Sequence, residues 1–448
     1  MAGSSSDPRR RRLRIGGALL ALLVVLGAAA AFVVTRGPDE VSDPSVEFAG
    51  GQESGTTTQR APEDAEDRYD DGADWPVYGG NPQRTRYLPF AGPEPVRPPF
   101  TERWGVTGKV LLEFPPVLCG RRIYSLRNDG VLRAVERRTG KVAWTKRIGS
   151  LAASAPACGA GRVYATVLRR NRFVKGGEAV ALRSTNGHRV WRVRLAGRTE
   201  SSPLLTPDRM IFGTEDGDVL ALQRSSGRVM WRYRAGAPVK AAVALDGDAL
   251  YVGDYAGTMH SIWLRTGRRR WTTDLGGRLY STPAVAYGRV FVGNVDGSVA
   301  AVGERSGRLA WRRRTKGFVY SAPAVAPVAG RGPTVFVGSY GGNLYAYDAR
   351  TGRSRWTKSL GGRVSGGITV VGDLVMYANL GRRTLGIRRA ADGALLYSHR
   401  SGAFDPGISD GRRLYIDTYT SVYHLVPGRQ VRRDDESFRT AARRRGTG

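Results

Sequence analysis

Seven times along the chain, a small or polar residue followed by glycine stands four residues ahead of a large aromatic. The copies are Thr139-Gly140 before Trp144, Asn186-Gly187 before Trp191, Ser226-Gly227 before Trp231, Thr266-Gly267 before Trp271, Ser306-Gly307 before Trp311, Thr351-Gly352 before Trp356 and Asp392-Gly393 before Tyr397. Trp104 precedes Trp144 by the same interval but lacks the glycine. The eight aromatics are 40, 47, 40, 40, 40, 45 and 41 residues apart. A period of ~40–50 residues marks a solenoid, an array or a propeller, because each unit buries its faces only against its neighbours. Seven copies are not a coincidence.

Within a unit the local signals are strands. Residues 281–286 carry an apolar run, a Tyr-Gly turn follows, residues 289–293 read Arg-Val-Phe-Val-Gly, and the turn Asn294-Val295-Asp296-Gly297 leads into 298–302. Short β-branched and aromatic runs parted by Gly and Asp turns are hairpin signals, and no stretch leaves room for a helix of ten residues. The run into each Trp supplies a fourth strand. Four antiparallel strands per ~40 residues make a propeller blade. The 60 Gly and 23 Pro suit such a turn-rich β fold. Eight aromatics predict an all-β, eight-bladed propeller over residues 75–427. The strand around Trp104 would complete the last blade; seven blades is the alternative if that strand only decorates the ring.

The flanks predict a compartment. Arg9, Arg10, Arg11, Arg12 and Arg14 close a basic segment, residues 1–14, directly before an unbroken apolar run over residues 15–34. Twenty residues at 1.5 Å each cover the ~30 Å of a bilayer core. The basic cluster stays inside, so the bulk of the chain is expected outside, with residues 15–34 as a single-pass signal anchor. A cleaved signal peptide is the rival, with small residues at 27–31 as its cleavage region. No Cys follows the run, which excludes a lipoprotein anchor. Residues 35–74 read as an acidic, disordered linker, because 12 carboxylates against three Arg and few large apolar groups do not offset the entropy of ordering. Residues 428–448 read as a basic disordered tail.

One segment, Ala346-Tyr347-Asp348-Ala349-Arg350-Thr351-Gly352-Arg353-Ser354-Arg355-Trp356, resembles the tryptophan-docking repeat of the pyrroloquinoline-quinone (PQQ)-like propeller superfamily. The opening segment Asp74-Trp75-Pro76-Val77-Tyr78-Gly79-Gly80-Asn81-Pro82 resembles the start of such propellers. The resemblance implies that Trp104, Trp144, Trp191, Trp231, Trp271, Trp311, Trp356 and Tyr397 dock between blades, a structural role that names a fold and not an activity. The superfamily holds quinoprotein dehydrogenases, which use PQQ with calcium, and non-enzymatic members such as the barrel-assembly propeller lipoprotein. This chain has no adjacent Cys pair, no clear Glu/Asn/Asp calcium set and no haem CxxCH motif. The expectation is therefore no cofactor and no catalytic or metal residues, with a PQQ-dependent dehydrogenase as the alternative.

Three features carry candidate function. The position that begins each innermost strand reads Glu113, Ala153, Glu200, Lys240, Tyr280, Tyr320, Ser365 and Asp405 around the ring. Its neighbours stay small or apolar, while this position varies among acid, base, phenol and hydroxyl at the channel mouth, where ligands fit. Second is charge. The chain carries +31, and without residues 1–74 it holds 62 basic against 26 acidic residues. Arg228, Arg268, Arg308 and Arg353 recur after the repeat glycine, and Arg169, Arg170, Arg172 and Lys175 form the densest patch. Such a field attracts anionic polymers, so an anionic cell-wall polymer or an envelope protein is the expected partner of a monomeric propeller; nucleic acid is not. Third, Cys119 and Cys158 lie 39 residues apart at equivalent turns of adjacent blades, which predicts a disulfide in an exported chain, against two buried thiols. His188, His260 and His424 share no spacing that suggests a metal.

Overall fold

The computed structural model describes residues 39–49, 73–91, 95–168 and 176–428. The chain divides into a unit of residues 1–39 and a unit of residues 40–448, and the architecture below is that of the second. The apolar run 15–34, the basic loop Arg169, Arg170, Arg172, Lys175 and the tail beyond 428 lie outside the described residues. Among the described residues no helix is long and apolar enough to cross a membrane.

Every repeat folds into an antiparallel four-stranded sheet, strands in chain order from the inside outward. Blades 1 to 7 span residues 117–147, 157–195, 204–234, 244–274, 284–314, 324–359 and 369–399. Blade 8 contributes Ile408–Ser409, Leu414–Asp417 and Val422–Pro427, and its outermost strand is Phe100–Val106 from the other end of the chain. Trp104 stands opposite His424 in that pairing. The ring therefore closes by hydrogen bonds between distant segments, with eight blades and not seven, and blade 8 gains its fourth strand from the other end of the chain.

The repeat motif explains the seams. Each of the seven indoles donates its Nε1–H to the carbonyl three residues before the glycine of the next blade, at 2.9–3.1 Å: Trp104 to Arg137, Trp144 to Ser184, Trp191 to Arg224, Trp231 to Leu264, Trp271 to Glu304, Trp311 to Ala349 and Trp356 to Ala390. The glycine lies flat on that indole. Gly307 has φ 69°, and a Cβ there would sit 2.7 Å from the Trp271 ring. Both the left-handed turn and the contact require glycine. Tyr397, with no indole, packs edge-on to Phe100 of blade 8 at 5.1 Å instead. Cys119 and Cys158 are bonded, Cα atoms 6.2 Å apart, and tie the innermost strands of blades 1 and 2.

Two segments ahead of the first blade pack against the ring, the opening one expected as part of the propeller and the other not. Residues 73–91 run around the inside of the ring as a collar. Trp75 pairs with Leu118 of blade 1, and the carbonyls of Pro76, Pro82, Gln83, Thr85 and Arg86 accept from Cys158, Leu245, Val285, Val325 and Val370 of blades 2, 4, 5, 6 and 7. Arg84 is fully buried, donating to Val243 O at 2.9 Å and to Pro203 O of blade 3 at 3.3 Å, and burial pulls its guanidinium down to about 9.

The second segment corrects the linker expectation. Residues 40–49 are ordered on blade 5: Val41–Ser42 extends its sheet beyond Leu309–Arg314. The Glu47 carboxylate accepts from the Arg305 and Ser306 amides at 2.9 and 3.0 Å, Val46 is buried beside Trp311, and Phe48 stacks on Tyr287 at 6.0 Å. The acidic composition conceals two apolar anchors, and those anchors with amide-capped carboxylates offset the ordering entropy.

Candidate functional site

Topology sorts the two ends of the channel. The collar's hydrogen bonds fall on the second residue of the innermost strands, whereas the ring positions Glu113, Glu200, Lys240, Tyr280, Tyr320 and Ser365 stand four residues ahead of those strands. The turns between third and fourth strands, with exposed Arg228, Arg268, Arg308 and Arg353, open on the face opposite the ring.

The structure gathers part of the ring into one cluster. Lys240 Nζ lies 3.0 Å from Glu200 Oε1 and 3.5 Å from Glu215 Oε1. Tyr280 meets Tyr320 edge to face, centroids 5.3 Å apart. Burial, then the Glu200 carboxylate, the Tyr255 phenol and the Glu113 carboxylate hold the Tyr280 hydroxyl protonated far above its ordinary range. Burial also raises the Glu200 carboxyl, against the lowering pull of Lys240. Glu113 accepts from Asn128 Nδ2 at 2.9 Å, and Ser365 is half-buried.

Asp405 does not belong to this surface. It is 3% exposed, pairs with Arg86 of the collar at 2.8 Å and accepts from the Gly367 amide at 3.0 Å. The spacing locates the position but not its role, because the Arg86 side chain, 319 residues away along the chain, reaches Asp405. Asp405 is a spoke of the channel, with its carboxyl raised by burial to about 6.

A second circle went unread in the sequence. The turn between the second and third strands places Asn128, Glu215, Tyr255, Val295, Tyr340 and Leu380 on the same face. Their amides donate to Leu111, Arg198, Pro238, Arg278, Phe318 and Arg363, each two residues ahead of a ring position. The signal was present: 215, 255 and 295 keep the 40-residue interval, as do 340 and 380.

The fold and its seams define an eight-bladed propeller of the PQQ-like class. The chain belongs to the family described as outer membrane protein assembly factor BamB, whose model matches residues 101–238 and 215–425. Solved structures agree in fold. BamB from Moraxella catarrhalis is 17% identical with a TM-score of 0.60, covering 73% of this chain and 98% of its own. The quinohemoprotein alcohol dehydrogenase from Comamonas testosteroni is 14% identical with a TM-score of 0.63, covering 79% of this chain and 80% of its own. The computationally designed Ika8 protein is 14% identical with a TM-score of 0.59, covering 72% of this chain and 99% of its own. No curated protein matches the sequence.

The dehydrogenase alternative needs PQQ with calcium. Among the described residues no three His, Cys, Asp or Glu side chains gather to hold a metal ion. At the mouth Glu200 and Glu215 are engaged on Lys240 and Glu113 on Asn128, and in the channel Asp405 is engaged on Arg86. The disulfide joins two separate strands. The carboxylates named here are already paired, whereas a calcium ion asks for six to eight oxygens.

Proposed function

We propose that this chain is a membrane-anchored, extracytoplasmic propeller that acts as a binding and scaffold module for a protein of the cell envelope. The carrying observation is the side-chain chemistry at the mouth end of the channel. At one fixed register, and at the mouth end, it presents Glu113, Glu200, Lys240, Tyr280 and Tyr320, chemically unlike one another, on a frame whose seams repeat. A rigid ring with varied rim chemistry suits recognition, and the BamB family supports a protein partner. The anchor reading rests on Arg9–Arg12 and Arg14 before residues 15–34, and the Cys119–Cys158 bond suits an oxidising compartment.

Crosslinked envelopes provide the test. Wild-type chain should capture a defined protein, and the variant with Glu200, Lys240 and Tyr280 changed to Ala should lose it. Equal capture by both would end the mouth reading. An anionic cell-wall polymer is the second reading, favoured by Arg169, Arg170, Arg172 and Lys175; it predicts polymer binding with a steep salt slope. The PQQ dehydrogenase alternative predicts dye-linked oxidation of an alcohol when PQQ and calcium are added, and we expect none.

A further inference from the structure

The mouth is not uniform around its circumference. Five aromatic rings form an arc from blade 4 to blade 6: Tyr255 to Tyr280 at 6.1 Å, Tyr280 to Tyr320 at 5.3 Å, Tyr320 to Tyr340 at 5.0 Å, with Phe318 6.2 Å from Tyr320 and 6.5 Å from Tyr340. Phe318 is 51% exposed, a large apolar ring left in water. A guanidinium covers each end of the arc. Arg278 lies over the Tyr255 ring at 5.9 Å, and Arg363 over the Tyr340 ring at 5.7 Å. Both arginines are exposed, and among the described residues neither has a carboxylate partner within 4.0 Å. Lys240, by contrast, is consumed by Glu200 and Glu215.

We infer that this arc, bracketed by Arg278 and Arg363, docks an acidic loop or extended segment of a partner protein, with an aromatic or proline between two carboxylates. The inference rests on the scaffold reading above and names the chemistry of its partner. Aromatic rings beside arginine are the surface that protein interfaces favour at their centre. The two free guanidinium forks match carboxylates in geometry, and stacking on the phenols restrains their side chains before the partner arrives. A long polyanion fits worse. Beyond the arc the mouth carries Glu113, Glu200 and Glu215, and the cations beside them, Lys240 and Arg198, are already paired with Glu200 and Glu215, so a regular run of negative charge would leave the two open arginines and meet carboxylates.

A random dodecapeptide library displayed on phage and panned on the full-length chain tests this. Enriched peptides should carry two acidic residues around an aromatic or proline. Synthetic copies should bind about tenfold more weakly to the Arg278→Ala/Arg363→Ala variant, and likewise to Phe318→Ala/Tyr320→Ala, as for the loss of interface anchors. Binding should be unchanged for Arg228→Ala/Arg268→Ala on the opposite face. Enrichment without acids, or full binding to the Arg278→Ala/Arg363→Ala variant, overturns the inference. So does mouth-dependent binding of polyglutamate or heparin as tight as that of the peptides. Capture of an envelope protein equally by wild type and by the double-arginine variant would sink this inference and leave the scaffold reading standing.

Discussion

The seams between blades and the mouth of the channel share one period and differ in almost everything else. At a seam, Trp271 meets Gly307 and Trp311 meets Gly352 in the same way: indole flat on glycine, Nε1–H to the same carbonyl. At the mouth the repeated contact is made by backbone, a turn amide to the residue two ahead of six of the ring positions, and the side chains there are left to vary. The lesson is physical. Where the repeat must satisfy a neighbouring side chain, its chemistry repeats; where backbone alone does the joining, the side chains are released for recognition.

That contrast predicts the largest losses at the seams. Trp311 is fully buried, and Trp311→Ala should destabilise the chain by about 3–5 kcal/mol in a denaturant melt. Gly352→Val, which drives a branched side chain into the Trp311 ring from φ 69°, should cost about 1–3 kcal/mol or more. If Trp311→Ala were as stable as wild type, the seams would not be what holds the ring. Arg86 comes next. Removing it by Arg86→Met leaves Asp405 buried and unpaired, a loss of about 3 kcal/mol, which Asp405→Asn in the same chain should partly restore. A binding defect without a loss of stability would return Asp405 to the mouth.

These cases show what sequence could and could not say. Trp and Gly at fixed spacing were legible because one geometry recurs seven times and needs the same two residues each time. The ring positions were legible as positions, since spacing locates them, but not as roles: nothing in the spacing tells that Arg86 reaches Asp405. Arg84 and Arg86 act once each, without a period, so no pattern announced them. Residues 40–49 misled by composition, because Val46 and Phe48 are two apolar anchors among carboxylates. The arc of Tyr255 and Tyr340 was missed because it lies on a second circle of the same 40-residue interval.

The Trp271 seam carries a titratable carboxyl, which sharpens the comparison at a smaller scale. Glu304 holds the carbonyl that caps Trp271, and its carboxyl lies near Asp246 and accepts from Tyr251 at 3.2 Å. Burial first, then the Asp246 charge, pushes that carboxyl from 4.5 up to about 7. The folded chain therefore keeps a proton that the unfolded chain has lost. The stability this contributes is complete below pH 4.5 and disappears as pH rises through 7. With solvent screening allowed for, wild type should lose on the order of 1 kcal/mol relative to Glu304→Gln between pH 5 and pH 8. Parallel pH profiles of the two melts would show that the seam does not sense Glu304.

The smallest stability effect is expected at the mouth, and it separates the two regions most cleanly. Phe318→Ser removes a ring that is already half in water, so the melt should shift by no more than about 0.5 kcal/mol. Its edge contact to Tyr320 and its tilted contact to Tyr340 contribute little with half the ring in water, against the gains of about 0.5–1.5 kcal/mol of well-packed aromatic pairs. Partner capture should nonetheless fall, since an exposed aromatic at the centre of an interface is an anchor whose burial awaits the partner. A seam residue shows the opposite pattern, losing stability first and binding only as a consequence. If Phe318→Ser melted several kcal/mol early, the mouth would be another seam and its varied side chains would be read as packing.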